Sequence, residues 1–257
     1  MGVLNVTPDS FSDAGQYFDP QRAVERARAM VAEGAAIIDI GGESTRPAAA
    51  PVALEEELRR VVPVVRAVAL DSDVIVSVDT SRPEVIEPVV AEGAAMINDV
   101  RSLRSRGALA ALARTGAAAC LMHMKGEPSS MQQSIEFGDV VAEVRAMLAA
   151  RLAACQEGGI DPERLCVDPG FGFGKLTQHN LELLRNLEDL LELDRPLLVG
   201  LSRKSLLKAL TGRDSGGRLA GSIALATAAV LNGAVIVRAH DVAATVDALR
   251  VAAALRN

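Results

Sequence analysis

What most constrains this chain is a phrase repeated along its whole length: a short, almost wholly apolar run, a polar loop, and a segment whose apolar residues recur at helical spacing. The apolar runs fall at residues 2–6, 36–40, 74–78, 96–97, 118–122, 165–167, 197–199 and 235–237. Helical patterns follow them at 20–33, 54–70, 83–92, 107–114, 139–157, 180–193, 218–231 and 242–255. In the first of these, Asp19-Pro20 opens a segment in which Ala23, Ala27, Met30 and Val31 share a face, and Gly34 closes it. Strands covered by helices on both faces read as continuous apolar runs, and helical crossovers make neighbouring strands parallel. Eight such units in 257 residues predict an α/β fold closed as a (β/α)8 TIM barrel, a single domain over residues 1–257. The competitor, a doubly wound open sheet, usually has fewer strands and a GxGxxG turn after the first, and no such turn follows Val6.

Composition narrows the function classes. Apolar residues make up 49% of the chain and aromatics 2%, which suits many helices on a sheet of branched side chains. The net charge is −6 with Lys and Arg scattered, so no basic stripe invites nucleic acid. Cys120, Cys155 and Cys166 form no CxxC pair, and they read as reduced thiols of a cytoplasmic protein. No signal peptide or span of about 18 apolar residues points to a membrane.

In barrels of this kind, chemistry collects where the strands end at their C-terminal edge. Those ends carry hydrogen-bonding or ionisable side chains almost without exception, and they sort into two sets. Asp79, Asn98, Asp168 and Lys204 supply donors and acceptors fit to read a heterocycle with amide and amino edges. Asn5, Arg46, Arg238 and His240 suit an anion such as phosphate. The segment opened by Lys204 and Ser205 offers backbone N–H groups to a further anion, for which a carboxylate would serve. Residues 168–175, DPGFGFGK, alternate glycines with phenylalanines between Asp168 and Lys175, a shaped loop where backbone and aromatic faces approach a flat ligand. There is no Ser/His/Asp or HExxH signature; with three histidines, a transition-metal site is less fitting than Mg²⁺ held by an Asn oxygen, phosphates and water.

Eight motifs carry a resemblance over the length of the chain: NVTPDSFSDAG from Asn5, DIGGESTRP from Asp39, SVDTS from Ser77, IND from Ile97, LMHM from Leu121, DPGFGFGK from Asp168, LSRKS from Leu201 and RAHD from Arg238. In these motifs and their order the chain resembles the dihydropteroate synthases of bacterial folate synthesis, the targets of sulfonamides. The resemblance implies that p-aminobenzoate displaces pyrophosphate from 6-hydroxymethyl-7,8-dihydropterin pyrophosphate, with Mg²⁺ as cofactor. It implies a pterin site of Asp79, Asn98, Asp168, Lys204 and Thr45, and a diphosphate site of Asn5, Arg46, Arg238 and His240, with Asn5 on the metal. It further implies a p-aminobenzoate pocket of Phe11, Pro47, Phe173, Lys204 and Ser205, and catalytic roles for Asp79, Asp168, Lys204 and Arg46. A homodimer without nucleic-acid or membrane partners is the expected assembly. The missing base machinery fits an SN1-like path, since an aromatic amine is already nucleophilic and uncharged at neutral pH. The family usually has Gly at Ala48 and more often Val at Ala239, and its members generally carry a leader before the first strand; its absence here is expected to leave the barrel floor less covered. The rival readings are a pterin-binding methyltransferase domain and a non-catalytic pterin-binding relative.

Overall fold

The eight apolar runs become eight strands in a computed structural model that describes residues 1–7, 19–43, 52–126 and 135–256. They are β1 (Gly2–Asn5), β2 (Ile37–Gly41), β3 (Ile75–Asp79), β4 (Met96–Asp99), β5 (Ala118–Met122), β6 (Leu165–Asp168), β7 (Leu198–Val199) and β8 (Ile236–Val237). The first six pair in sequence order and in parallel, and β7 pairs with β8. Parallel bridges Val167–Leu197 and Gly2–Ala239 close the ring, the latter with Val3 N–H donating to Ala239 O at 3.0 Å. The predicted barrel is therefore closed, and its two-residue strands lie next to the seam.

The helices coat the outside. They are α1 (Pro20–Ala32), α2 (Leu54–Asp71), α3 (Pro83–Ala91), α4 (Ala108–Ala113), α5 (Val140–Glu157), α6 (Thr177–Arg185), α7 (Ser205–Thr211), α8 (Leu219–Leu231) and α9 (Val242–Arg256). Local chemistry sets their ends. Asp19 accepts from Gln21 N–H at 2.9 Å with Pro20 at the first helical position, and Asp139 accepts from Val141 N–H at 3.0 Å and Ala142 N–H at 2.9 Å. Strand residues such as Ile38, Ile40, Val76, Val78 and Ile97 are buried against α1 to α4, each contributing roughly 1.5–3 kcal/mol on burial.

Two elements differ from the expectation. The single helix expected over 180–193 is α6 followed by a 3-10 helix at Leu187–Leu193. Asn186 breaks it: its backbone leaves the helical region and its Nδ2 donates to Glu182 O at 2.9 Å, a local bond that competes with helix propagation. A ninth helix among the described residues, α7, fills 205–211 and ends at Gly212 in the left-handed conformation, φ 70°.

Candidate active site

Strand parity puts residues i and i+2 on the same side of the sheet, so the longer strands furnish the barrel interior at two levels. Cα partners Gly41–Asp79 and Asp79–Asn98 set one level, and Asp39–Ser77 sets the level below it. Asp39 is fully buried and accepts from three neighbours: Ser77 Oγ at 2.6 Å on Oδ1, and Asn98 Nδ2 at 3.0 Å and Arg238 Nε at 2.6 Å on Oδ2. Arg238 also donates through Nη2 to Asp79 Oδ2 at 3.0 Å. The donation from Nδ2 to Asp39 orients the amide of Asn98 and turns its Oδ1 away from that carboxyl. The hydrogen bonds of Asp79 and Asp39 are unequal. Burial pushes the Asp79 carboxyl up to about 7 despite the opposing charge of Arg238. Against burial, which would lower it, Asp39 and Asp79 raise the guanidinium of Arg238 above its ordinary value.

Asp168 stands across the mouth and accepts from Gly170 N–H at 2.7 Å; burial raises its carboxyl, with that hydrogen bond and Lys204 opposing. The loop beyond it needs its glycines. Gly170, Gly172 and Gly174 have φ of 69°, 80° and 61°, and a Cβ on Gly170 would strike the carbonyl of His123. The Phe173 ring lies beneath Lys204 Nζ, 4.2 Å from ring centroid to nitrogen, and packs with Val100, Met122 and Met124. Burial lowers the Lys204 ammonium to about 8, with Asp168 opposing. Lys175 turns inward instead of facing a ligand, donating to Gly170 O at 2.9 Å and Phe173 O at 3.2 Å and meeting His123 Nδ1 at 2.8 Å.

On the far side, Ser202 Oγ lies 3.1 Å from His240 Nδ1, and burial with the nearby charge of Arg238 lowers this imidazole to about 4. Arg203, left-handed at φ 59°, pairs in bidentate fashion with Asp241, tying the loop that bears Lys204 to the loop that bears His240. Arg218 supports it by donating to Arg203 O at 2.8 Å. Asn5 ends β1, its Oδ1 near Gly41. Behind the mouth, Asp99 accepts from Ser81, from Arg101 N–H at 2.7 Å and from Leu103 N–H at 2.8 Å, holding Ser102 and Leu103 left-handed. Burial pushes up the carboxyl of Glu57, although Thr80 donates to it at 2.7 Å. Its Oε2 is 3.0 Å from Arg82 Nε, close enough for attraction but not aligned as a hydrogen bond.

Of the expected site residues, Asp79, Asn98, Asp168, Lys204, Arg238 and His240 gather at the C-terminal edge, with Asn5, Phe173 and Ser205 at the same edge. Phe11, Thr45, Arg46, Pro47 and Ala48 lie outside the described residues. The sequence reading gave Asp39 no role, although a charge inside the apolar run Ile37–Gly41 cannot be buried without partners and is itself a signal. Among the described residues, no three His, Cys, Asp or Glu side chains form a metal cluster, and no helix is long and apolar enough to cross a membrane.

Known proteins match this arrangement closely. The profile of the pterin binding enzyme family covers residues 1–240. Dihydropteroate synthase of Escherichia coli K12 is 52% identical over 251 residues, 98% of this chain and 89% of that protein. The Yersinia pestis dihydropteroate synthase in a sulfonamide complex superposes with a TM-score of 0.95 at 47% identity, covering 100% of this chain and 93% of that one. The Xanthomonas albilineans dihydropteroate synthase with 7,8-dihydropteroate gives a TM-score of 0.90 at 47% identity, covering 100% of this chain and 92% of that one. With the motifs on the strand ends, the closed barrel and these likenesses in agreement, the chain belongs to the pterin-binding enzymes and, among them, to the dihydropteroate synthase family.

Proposed function

We propose that this protein joins 6-hydroxymethyl-7,8-dihydropterin pyrophosphate to p-aminobenzoate, forming 7,8-dihydropteroate and releasing pyrophosphate. The observation that carries the reading is the cluster of Asp79, Asn98, Asp168 and Lys204 beside Arg238 and His240, a reader for a polar ring next to donors for an anion. Dihydropteroate synthases with 4-aminobenzoic acid and with 7,8-dihydropteroate stand among the structural neighbours.

The residues divide the work. Asp79 and Asp168 accept from the ring's amino and N–H groups, Asn98 presents its fixed oxygen, and Lys204 donates to the ring. As the C–O bond to the diphosphate stretches, positive charge grows on the pterin methylene, and the surrounding carboxylates stabilise it in a cavity where water screens little. Arg238 and His240, with Arg46, take the charge developing on the leaving oxygens. The aromatic amine then attacks, positioned by Phe173, Ser205, Phe11 and Pro47, and sheds its proton to solvent or the departing anion. Asn5 fits Mg²⁺ as a single amide-oxygen ligand beside the donors that would hold the diphosphate. Such an ion supplies charge neutralisation to the diphosphate.

A homodimer is part of the reading, supported by Leu219, Leu231, Val251 and Leu255, which are exposed on the packed pair α8 and α9. A cytoplasmic setting suits the free thiols of Cys120, Cys155 and Cys166. The test of the activity is pyrophosphate release from the purified protein. Release is expected only when both substrates are present; release independent of p-aminobenzoate, or none at all, defeats the proposal.

A further inference from the structure

The glycine loop ends in a charge that the reaction described above does not use. Lys175 is 4% exposed, and its Nζ sits among Gly170 O at 2.9 Å, Phe173 O at 3.2 Å, His123 O at 3.5 Å and His123 Nδ1 at 2.8 Å. Among the described residues its hydrogen bonds run to carbonyls and an imidazole rather than to a carboxylate, while Asp168 attracts it and Lys204 repels it through space. An ammonium buried on carbonyls and an imidazole is a weak contributor to stability, because desolvation offsets much of what its hydrogen bonds return. Burial lowers it to about 7. The same imidazole is held neutral, lowered to about 3 by burial and by Lys175, and with the Lys175 donors 2.8 Å from Nδ1 the tautomer that fits carries its proton on Nε2 and accepts at Nδ1.

The acceptors have a pattern. Gly170 N–H is the donor to Asp168, and Phe173 is the ring beneath Lys204. Phe173 N–H donates to Gly170 O at 3.1 Å, so the two carbonyls that Lys175 grips close one turn. Gly172 between them is held separately, its N–H donating to Asn180 Oδ1 at 2.7 Å. With three left-handed glycines, this turn has little rigidity of its own. The ammonium reaches from its end back to its middle and to the neighbouring loop at His123, fastening the two together.

We infer that Lys175 is a positioning residue for the amine substrate, gripping Gly170, Phe173 and His123 so that the Phe173 ring is presented beneath Lys204. The inference rests on the reading of Phe173 as part of the p-aminobenzoate pocket. Lys175→Met retains the side-chain stem and removes the donors. It is expected to raise the KM for p-aminobenzoate roughly tenfold while kcat falls less than about threefold, since uniform binding rather than transition-state stabilisation is lost. If Lys175 acts through the ring, its effect disappears in a Phe173→Leu background, where the two changes are non-additive. A role confined to stability would lower Tm and leave this KM and this coupling unmoved. An unchanged KM in Lys175→Met, or an undiminished penalty in the Phe173→Leu background, overturns the proposal. Should Lys175→Met fail to fold, His123→Leu removes one acceptor of the grip and must show the same selective rise at smaller size; an unmoved KM there overturns it equally. Wild-type protein that releases no pyrophosphate sinks the functional reading and this inference with it, whereas active wild type with unmoved variants sinks the inference alone.

Discussion

The same strands build two unlike ends of one barrel. At the lower level Met96, Cys120, Cys166 and Leu198 meet as an apolar layer of sulfur and methyl groups, all buried. Two residues further along three of those strands stand Asn98, Met122 and Asp168, joined across the mouth by Asp79, Arg238 and Lys204. Backbone geometry is shared; only the side chains change, from a plug to a lined cup. The contrast also explains the cup's electrostatics. Beneath Asp168 lies Cys166 of the apolar floor, and beneath Asp79 lie the buried Ser77 and Asp39, so neither carboxyl has much water on that side, which is why burial leads the causes that raise both.

If the two ends are separable, damage to each should have its own signature. Leu198→Ala in the floor should cost about 2–5 kcal/mol of stability by denaturant titration and leave turnover per folded molecule near normal. A collapse of activity in the folded fraction would show that the floor shapes the mouth directly. At the mouth, Asn98→Ala and Asp168→Ala should each weaken pterin binding by about 1–3 kcal/mol in calorimetry, with the fold intact. Unchanged affinity in either would remove that residue from the ring site, and lost stability with retained affinity would make it a cap. The finest test lies in Asp79. Its carboxyl is at about 7 in the fold against 3.8 in the unfolded chain, so between those values the native state holds more protons, and stability of the free protein falls as pH rises from about 4 to about 7. Asp79→Asn should flatten part of that slope in Tm against pH, by the order of a few degrees. Glu57, Asp99 and Asp168 are raised too and leave a residue of it. An identical slope in the variant would place the titration elsewhere.

The legible parts of this molecule were those that periodicity and strand direction control. Runs such as 118–122 match β5 residue for residue, and parity with direction brings Asp79, Asn98 and Asp168 to one edge. What the sequence concealed depends on contacts between distant segments. Asp39 reads as one more polar group near a strand end until the stagger of neighbouring strands puts it below Asn98 and within reach of Arg238, 199 residues away. Lys175 reads as a charge offered to a ligand, because nothing local says that its side chain will turn back under its own loop. Ser102, Leu103 and Arg203 take left-handed conformations without a glycine to announce them. Each has distant partners: Arg151 for the first two with Met122 O for Ser102, and Asp241 and Ser222 for the third.

The seam of the barrel has a kinetic meaning. Seven of its eight strand junctions join neighbours in the chain and can form early, whereas the junction of β8 with β1 brings Ala239 to Val3 and must wait for nearly the whole polypeptide to be gathered. Arg238 stands on that last strand's edge and is the group that donates to both Asp39 and Asp79. Until the ring shuts, Asp39 and Asp79 lack the donors of Arg238, so closure and the arrival of the guanidinium are one event. A chain whose ring is still open therefore lacks the Arg238 contacts on which the ring site is built, however many of its helices have formed.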